Sequence, residues 1–218
     1  MRITVFGASG GVGREFVSQA EVRFHRVRAI YRPGSEIKTS ARIEHHLLDN
    51  FADPAALISA IRDSDAVISC LGPKRTNPHN PWSRILSPLD LMERFSAALV
   101  SAMEAADGGK RFVAVSAAGV GTSREALHPV LKWVFDHSNV GKGYRDLSAM
   151  EAIISSSNLD YTVVRPVTLT NGSFTGNVRF CEKYGLTSTI SRADVAGFLL
   201  RCVEEQETVP MRTPLICS

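Results

Sequence analysis

Val5-Phe6-Gly7-Ala8-Ser9-Gly10-Gly11-Val12-Gly13 is the stretch on which the reading of this chain turns. Ile3 to Phe6 is apolar and rich in β-branched residues, as a short strand requires. Gly7, Gly10 and Gly13 then mark a turn that leads into a helix. Each has its own reason to lack a side chain. Gly7 permits a tight turn, Gly10 lets the backbone approach a phosphate, and Gly13 lets the helix pack close on the strand. The first N–H groups of that helix have no partner within it, and the helix dipole favours negative charge there. A dinucleotide diphosphate is the occupant this arrangement predicts. The spacing is G-x-x-G-x-x-G rather than the simplest G-x-G-x-x-G. The motif therefore gains its weight from context, a strand before it and a helical pattern after it.

Outward from that turn, strand-like and helix-like segments alternate. Val12, Phe16, Ala20 and Phe24 recur at steps of four and make one apolar helix face. Val27 to Tyr31 reads as a second strand and Ile43 to Leu48 as a weaker third. Asp53-Pro54 opens a helix, with Asp as cap and Pro at the first helical position, and turns Leu57, Ile58 and Ile61 inward. Ala66 to Leu71 is a continuous apolar run, as expected of a strand buried on both faces. Ser87-Pro88 starts a helix striped by Met92, Phe95, Leu99 and Met103. Phe112 to Val115 and Tyr161 to Val164 follow as the fifth and sixth strands. Ser191 to Asp194 has the S-x-x-D form of a capping box, and the helix behind it buries Val195, Phe198, Leu199, Cys202 and Val203. Leu215 to Cys217 reads as a last short strand.

This alternation predicts an α/β fold, a single doubly wound parallel sheet of Rossmann type. Ligands of such sheets bind beyond the carboxyl ends of the strands. No repeat or linker is visible, so residues 1–218 read as one NAD(P)-binding domain. Two irregular stretches, Pro73 to Ser87 and Leu169 to Ile190, are expected to lie over the site as substrate-covering loops at 73–87 and 169–190.

Composition narrows the function classes. The 25 Lys and Arg against 22 Asp and Glu leave a formal charge of only +3, with no long basic block, so nucleic acid is not an expected partner. No apolar run approaches the roughly 20 residues of a spanning helix, and the chain enters a strand at once, so neither membrane nor signal peptide is expected. Cys70, Cys181, Cys202 and Cys217 form no C-x-x-C, which argues against a zinc site and against a disulfide framework. A reducing cytoplasm is the expected compartment. No metal constellation is visible.

The choice of nucleotide is read at the end of the second strand. A site selective for NAD usually places an acidic residue there, about 20 positions past the glycines, to hold the ribose 2′-hydroxyl. Here Tyr31-Arg32-Pro33 occupies the place. Arginine cannot accept from a hydroxyl but can grip a 2′-phosphate in a fork, so NADP(H) is the expected cofactor. Arg14 is a second candidate for that phosphate. Asp49-Asn50 ends the third strand and either meets the adenine amino group or forms the turn before Asp53-Pro54.

Six segments in order carry a resemblance to a family. They are G-A-S-G-G-V-G, L-L-D-N, D-A-V-I-S-C-L-G-P, F-V-A-V-S-A-A-G-V-G, L-D-Y-T-V-V-R-P and I-S-R-A-D-V-A-G-F-L-L-R-C. Together the chain resembles an atypical short-chain dehydrogenase/reductase of the NAD(P)H-binding group, which includes the biliverdin-IXβ and flavin reductases and the NmrA-like proteins. The resemblance implies that Gly7, Ser9, Gly10, Gly11, Val12 and Gly13 wrap the diphosphate and that Arg32 meets the 2′-phosphate. It implies that Asp49 and Asn50 flank the adenine, Leu71 and Gly72 line the adenosine ribose, Ser116 sits near the nicotinamide, and Pro166 bounds that ring.

One departure bears on chemistry. Classical members use Tyr-x-x-x-Lys, in which the lysine lowers the tyrosine pKa so that the phenol can give a proton. Tyr144 is followed four places later by Ser148, and Lys142 precedes it. Tyr144 is thus either a proton donor or a surface residue on a helix. Ser116 either bonds a substrate carbonyl or the carboxamide, or satisfies its own Ser-Ala-Ala-Gly turn. Lys74 and Arg75 can attract an acidic group, and Trp82 either stacks on a planar ligand or packs beneath its loop. Ser191 and Asp194 read most simply as a helix cap, His45 and His46 as structural, and His79 as a solvated loop residue. The usual glycine ending the first helix is missing near Phe24-His25. The expectation is an NADP(H)-dependent oxidoreductase that reduces a small planar or carbonyl-type acceptor such as a flavin or quinone. The alternative is a non-catalytic NADP(H)-binding redox sensor or regulator of the NmrA-like type, with a protein partner.

Overall fold

Alternate residues of each strand point to opposite faces, and here both faces are apolar. The computed structural model describes residues 1–35, 40–78, 80–106, 109–205 and 211–218. In chain order they form β1 (Arg2–Phe6), α1 (Gly11–Val22), β2 (Arg26–Tyr31), β3 (Ile43–Leu47), α2 (Pro54–Ile61), β4 (Ala66–Ser69) and α3 (Leu91–Ala105). Then come β5 (Arg111–Val115), a 3-10 turn at Gly121–Arg124, α4 (Pro129–Asp136), α5 (Asn139–Ser156), β6 (Tyr161–Pro166), β7 (Thr168–Thr170) and β8 (Arg179–Phe180). The last are β9 (Thr189–Ser191), α6 (Arg192–Glu204) and β10 (Leu215–Cys217).

The strands join in the order β3-β2-β1-β4-β5-β6-β10-β8, parallel throughout except for β8 on β10. Ile3 and Val5 of β1 face α1 and α6, packing with Phe16, Ala20, Val195 and Leu199. Phe6 points to the other layer, built by α2, α3 and α5 around Leu57, Phe95, Leu99 and Met150. There Phe6, Phe51 and Phe95 meet edge to face, with ring centroids 5.1–6.3 Å apart. The order reverses at β1, between β2 and β4, and this opens the crevice that an α/β sheet offers to a ligand. The expected doubly wound sheet is therefore present. No helix among the described residues is long and apolar enough to cross a membrane.

Several details differ from the sequence reading. The helix expected from Ser87-Pro88 begins at Leu91, and its first N–H groups are capped from afar. The Asp146 carboxylate on α5 accepts from Met92 N and Glu93 N, both at 3.0 Å. Ser87 Oγ instead accepts from Lys74 N at 3.2 Å. Residues 169–190 are not wholly irregular. β7 and β9 pair in parallel, Thr168 with Thr189, and β8 adds to the sheet edge. Cys181, just past β8, and Cys217 of β10 form a disulfide, which corrects the expectation drawn from cysteine spacing. A bond between strands that are sequence-distant but laterally adjacent leaves no short-range signature. Cys70 and Cys202 are free thiols.

The end of α1 shows how the chain manages without the usual glycine. His25 N donates to Ala20 O at 3.0 Å, the closing bond of a Schellman motif, and Phe24 takes the left-handed position at φ 62°. A residue with a Cβ is disfavoured there by about 1–2 kcal/mol. Its ring stands in solvent under the Arg42 guanidinium, 4.9 Å from its centroid. Phe24→Gly is therefore expected to stabilise the fold by about 0.5–1 kcal/mol after loss of that contact. Phe24→Val is expected to destabilise it. Thermal denaturation of the two variants beside the wild type checks both signs.

Candidate functional site

The glycine turn forms because backbone must pass backbone. Gly7 adopts φ +76°, and a Cβ there would stand 2.8 Å from the Cys70 carbonyl carbon of the neighbouring strand end. A Cβ on Gly13 would collide with the Gly7 carbonyl oxygen. These contacts set the start of α1 directly over the end of β1. Gly10 N donates to Gly7 O at 2.9 Å, and Gly10 caps α1 with no side-chain hydrogen bond. No acidic residue lies in the first turn of α1. The helix thus presents its N–H groups and its positive end without a counter-charge, which fits a diphosphate. Val12 is buried, so it can offer a ligand only its backbone, while Ser9 is half-buried and its carbonyl accepts from Arg14 Nε at 2.8 Å.

At the end of β2, Arg32 is exposed and has no ion-pair partner among the described residues. Arg14 lies close enough to Tyr31 for its charge to act on the phenol, although burial prevails and raises that pKa. Arg14 thus has its charge near the end of β2, the strand that Arg32 directly follows. Asp49 is exposed. Asn50 Oδ1 accepts from Ala52 N at 2.9 Å, which forms the turn before Asp53. Asp53 caps α2 as its sequence suggests, accepting from Ala55 N at 3.0 Å. Leu71 is half-buried, and open space lies beside Gly72, where a Cβ would meet nothing within 4 Å.

Ser116 follows β5. Its N–H donates to Val164 O at 2.8 Å, and its Oγ is buried with no hydrogen-bond partner among the described residues. The local turn therefore does not satisfy the hydroxyl. A buried hydroxyl without a partner costs free energy unless a ligand supplies one. Pro166 ends β6, and its carbonyl accepts from Ala118 N at 2.9 Å, joining the ends of β5 and β6.

A cleft of about 610 Å³ is walled by Trp82, Phe135 and Tyr144, with Lys142, Arg145 and Gly119, three residues past Ser116 in the chain, among its lining. Tyr144 is half-buried rather than a surface residue, its ring edge-on to Phe135 at 4.7 Å. Burial raises its pKa, against the lowering effect of Arg75, so the phenol stays protonated. Ser148 lines the same cleft where a classical lysine would stand. Trp82 is half in solvent at the rim, its Nε1 donating to His137 O at 3.0 Å, and is not packed beneath its loop. Arg75 organises its own loop by donating to Pro78 O at 2.7 Å and Asn80 O at 3.1 Å, and Lys74 is exposed. Arg124 is neutralised by Asp136 at 2.7 and 2.8 Å, whereas Lys142 and Arg145 have no ion-pair partner among the described residues.

Two features were not visible in the sequence. Tyr184 folds in from the 181–188 stretch, pairing with Ala126 and His128, and its buried hydroxyl has no partner among the described residues. A Cβ on Gly119 would stand 2.9 Å from that hydroxyl. Arg165 and Glu151 form a buried pair, Nε to Oε1 at 3.0 Å, beneath the 3-10 turn, with Thr122 Oγ1 at 2.9 Å from Arg165 Nη1. The V-R-P and M-E segments hold these residues, but only folding brings them together. His45 stacks on Tyr31 with centroids 5.6 Å apart, and both its ring nitrogens are buried without a partner among the described residues. His46 is half-buried, and His79 lies outside the described residues. Among the described residues no group of three or more His, Cys, Asp or Glu side chains is placed to hold a metal.

Ser191 and Asp194 make the expected cap: Ser191 Oγ accepts from Asp194 N at 2.9 Å. Asp194 also ties down the 173–176 segment, accepting from Thr175 N at 2.7 Å and Gly176 N at 2.8 Å. Burial alone would raise its pKa. The hydrogen bonds from Thr175, Ser191 and Gly176 outweigh it, so the pKa is lowered. A carboxylate with a depressed folded pKa adds stability above its unfolded pKa of about 3.9 and loses it as pH falls through the folded value. Asp194→Asn is therefore expected to be less stable at neutral pH and to lose less stability than the wild type on acidification below about pH 4. Chemical denaturation across that pH range checks the prediction.

Comparison with known proteins places these features in a family. A family model described as NAD(P)H-binding matches residues 7–206. An uncharacterized sugar epimerase of Bacillus subtilis, YhfK, is 30% identical over 212 residues, covering 95% of this chain and 90% of that one. Protein YMR090W of Saccharomyces cerevisiae is 29% identical, covering 92% and 86%. Among solved structures, the anaerobilin reductase ChuY of Escherichia coli O157:H7 superposes with a TM-score of 0.73 at 21% identity, covering 99% of this chain and 96% of its own. A short-chain dehydrogenase/reductase of Veillonella parvula in complex with NADP gives 0.76 at 17% identity, covering 100% and 94%. At such identities the structural likeness speaks for the fold.

Proposed function

This chain belongs to the NAD(P)H-binding family, and on that footing we propose that it is an NADPH-dependent reductase of a small planar or carbonyl-bearing acceptor such as a flavin or a quinone. The observation that carries the reading is the unpartnered Ser116 hydroxyl, buried just past β5 on a segment whose Gly119 lines an aromatic-walled cleft. A bound NADPH would supply the hydride. The chain's own residues would hold the reactants. The α1 amides and Ser9 hold the diphosphate, Arg32 with Arg14 the 2′-phosphate, Asp49 and Asn50 the adenine edge, and Leu71, Gly72 and Pro166 the sugar and ring. Ser116 would bond the carboxamide or the acceptor oxygen. Trp82 and Phe135 would flank a flat acceptor, and Tyr144, protonated and facing the cleft, is the nearest proton source. The stretches 73–87 and 169–190 would cover the acceptor, with residues 1–218 acting as one domain.

A second reading is favoured by one observation. Ser148 stands where a lysine would assist Tyr144, so the chain lacks the pair that speeds proton transfer in classical members. A cofactor-binding redox sensor needs no such pair. The epimerase named for the Bacillus relative would need that acid–base chemistry, and it fits these residues less well.

Arg32→Ala is expected to weaken NADPH by about 1.5–3 kcal/mol and leave NADH nearly unchanged. Equal loss for both coenzymes would remove Arg32 from the 2′-phosphate. The reaction itself is tested by NADPH oxidation against a panel of flavins, quinones and aldehydes. Turnover that falls in Ser116→Ala supports the reductase. Tight NADPH binding with no turnover on any acceptor supports the sensor.

A further inference from the structure

Arg192 opens α6, and its side chain lies across Gly11 in the first turn of α1. A Cβ built on Gly11 would stand 2.6 Å from Arg192 Cδ and 2.7 Å from Nε. Beyond that crossing, Nη1 donates to Asn171 Oδ1 at 2.6 Å. Nε and Nη2 make no hydrogen bond, and no carboxylate pairs with Arg192 among the described residues. The place is electrostatically adverse for a cation. α1 and α6 both bring their N-terminal, positive ends to it, and helix dipoles favour anions there. α1 has no acidic residue in its first turn. The acidic side chain in the first turn of α6 is Asp194, and it is committed to Ser191, Thr175 and Gly176. A guanidinium held at two positive helix ends without a counter-charge is short of an anion.

We propose that Arg192, steadied by Asn171, is the second jaw of the diphosphate site and closes on it from the α6 side. The α1 amides hold one flank of the anion, and the free Nε and Nη2 of Arg192 hold the other. A planar fork suits two phosphate oxygens. Gly11 then has a reason of its own: any side chain there would take the space of the Arg192 stem. The proposal rests on the cofactor reading above. It adds that the last helix, far from the glycine turn in sequence, completes the anion site.

Two nucleotide fragments separate the claims in calorimetric titrations. Adenosine diphosphate ribose carries the diphosphate without a 2′-phosphate, and 2′-AMP carries the 2′-phosphate without a diphosphate. Arg192→Ala is expected to weaken adenosine diphosphate ribose by about tenfold or more and to leave 2′-AMP unchanged. Arg192→Lys, which keeps the charge but not the fork, is expected to fall between. Thermal denaturation confirms that each variant is folded, and Arg192→Gln replaces the alanine variant if that one is not. Wild-type affinity for adenosine diphosphate ribose in both neutral variants overturns the proposal, as does equal loss of both fragments. Failure of the wild type to bind NADP⁺ as well as both fragments overturns the cofactor reading itself, a different result.

Discussion

Backbone meets backbone where β1 ends. Gly13 lies against the Gly7 carbonyl, and Gly7 lies against the Cys70 carbonyl at the end of β4. Three chain segments can approach this closely only if none carries a side chain at the contact. The result is a helix whose first turn points its amides into the crevice between β1 and β4, with no cap of its own. The orphan donors of a helix start must go to water, to a side chain or to a ligand. Everything else at this end of the sheet is arranged around that choice.

Charge is distributed to match. Arg14 acts on Tyr31 at the end of β2, Arg32 follows that strand, and Arg192 crosses the first turn of α1. None of the three has an ion-pair partner among the described residues. The cleft at Gly119 sets aromatic walls beside Lys142 and Arg145. Ser116 and Tyr184 have buried hydroxyls that nothing in the described chain satisfies.

What the sequence reveals is what is local. The glycine turn, the Asp53-Pro54 start and the Ser191–Asp194 box were readable because the cap and the amide it serves lie two or three residues apart. The buried strands were readable because both faces of the sheet are covered, which leaves continuous apolar runs. The start of α3 was not readable, since its cap, Asp146, lies on another helix. Arg192 and Tyr184 reach their places only through tertiary packing, and the 181–217 disulfide joins strands that the spacing of cysteines does not connect. Phe24 hides the end of α1 because it occupies a left-handed position that sequence reading assigns to glycine. Site residues contributed by one motif were legible, and those contributed by several elements were not.

The central claim is that the uncapped start of α1 is an anion site for a dinucleotide. Titration of NADP⁺ into the unmodified protein, followed by calorimetry at two salt concentrations, tests it most directly. The account predicts saturable binding of one nucleotide per chain, weaker at the higher salt because charge pairs are screened. An absence of saturable heat at millimolar NADP⁺, NADPH and NADH alike would contradict it.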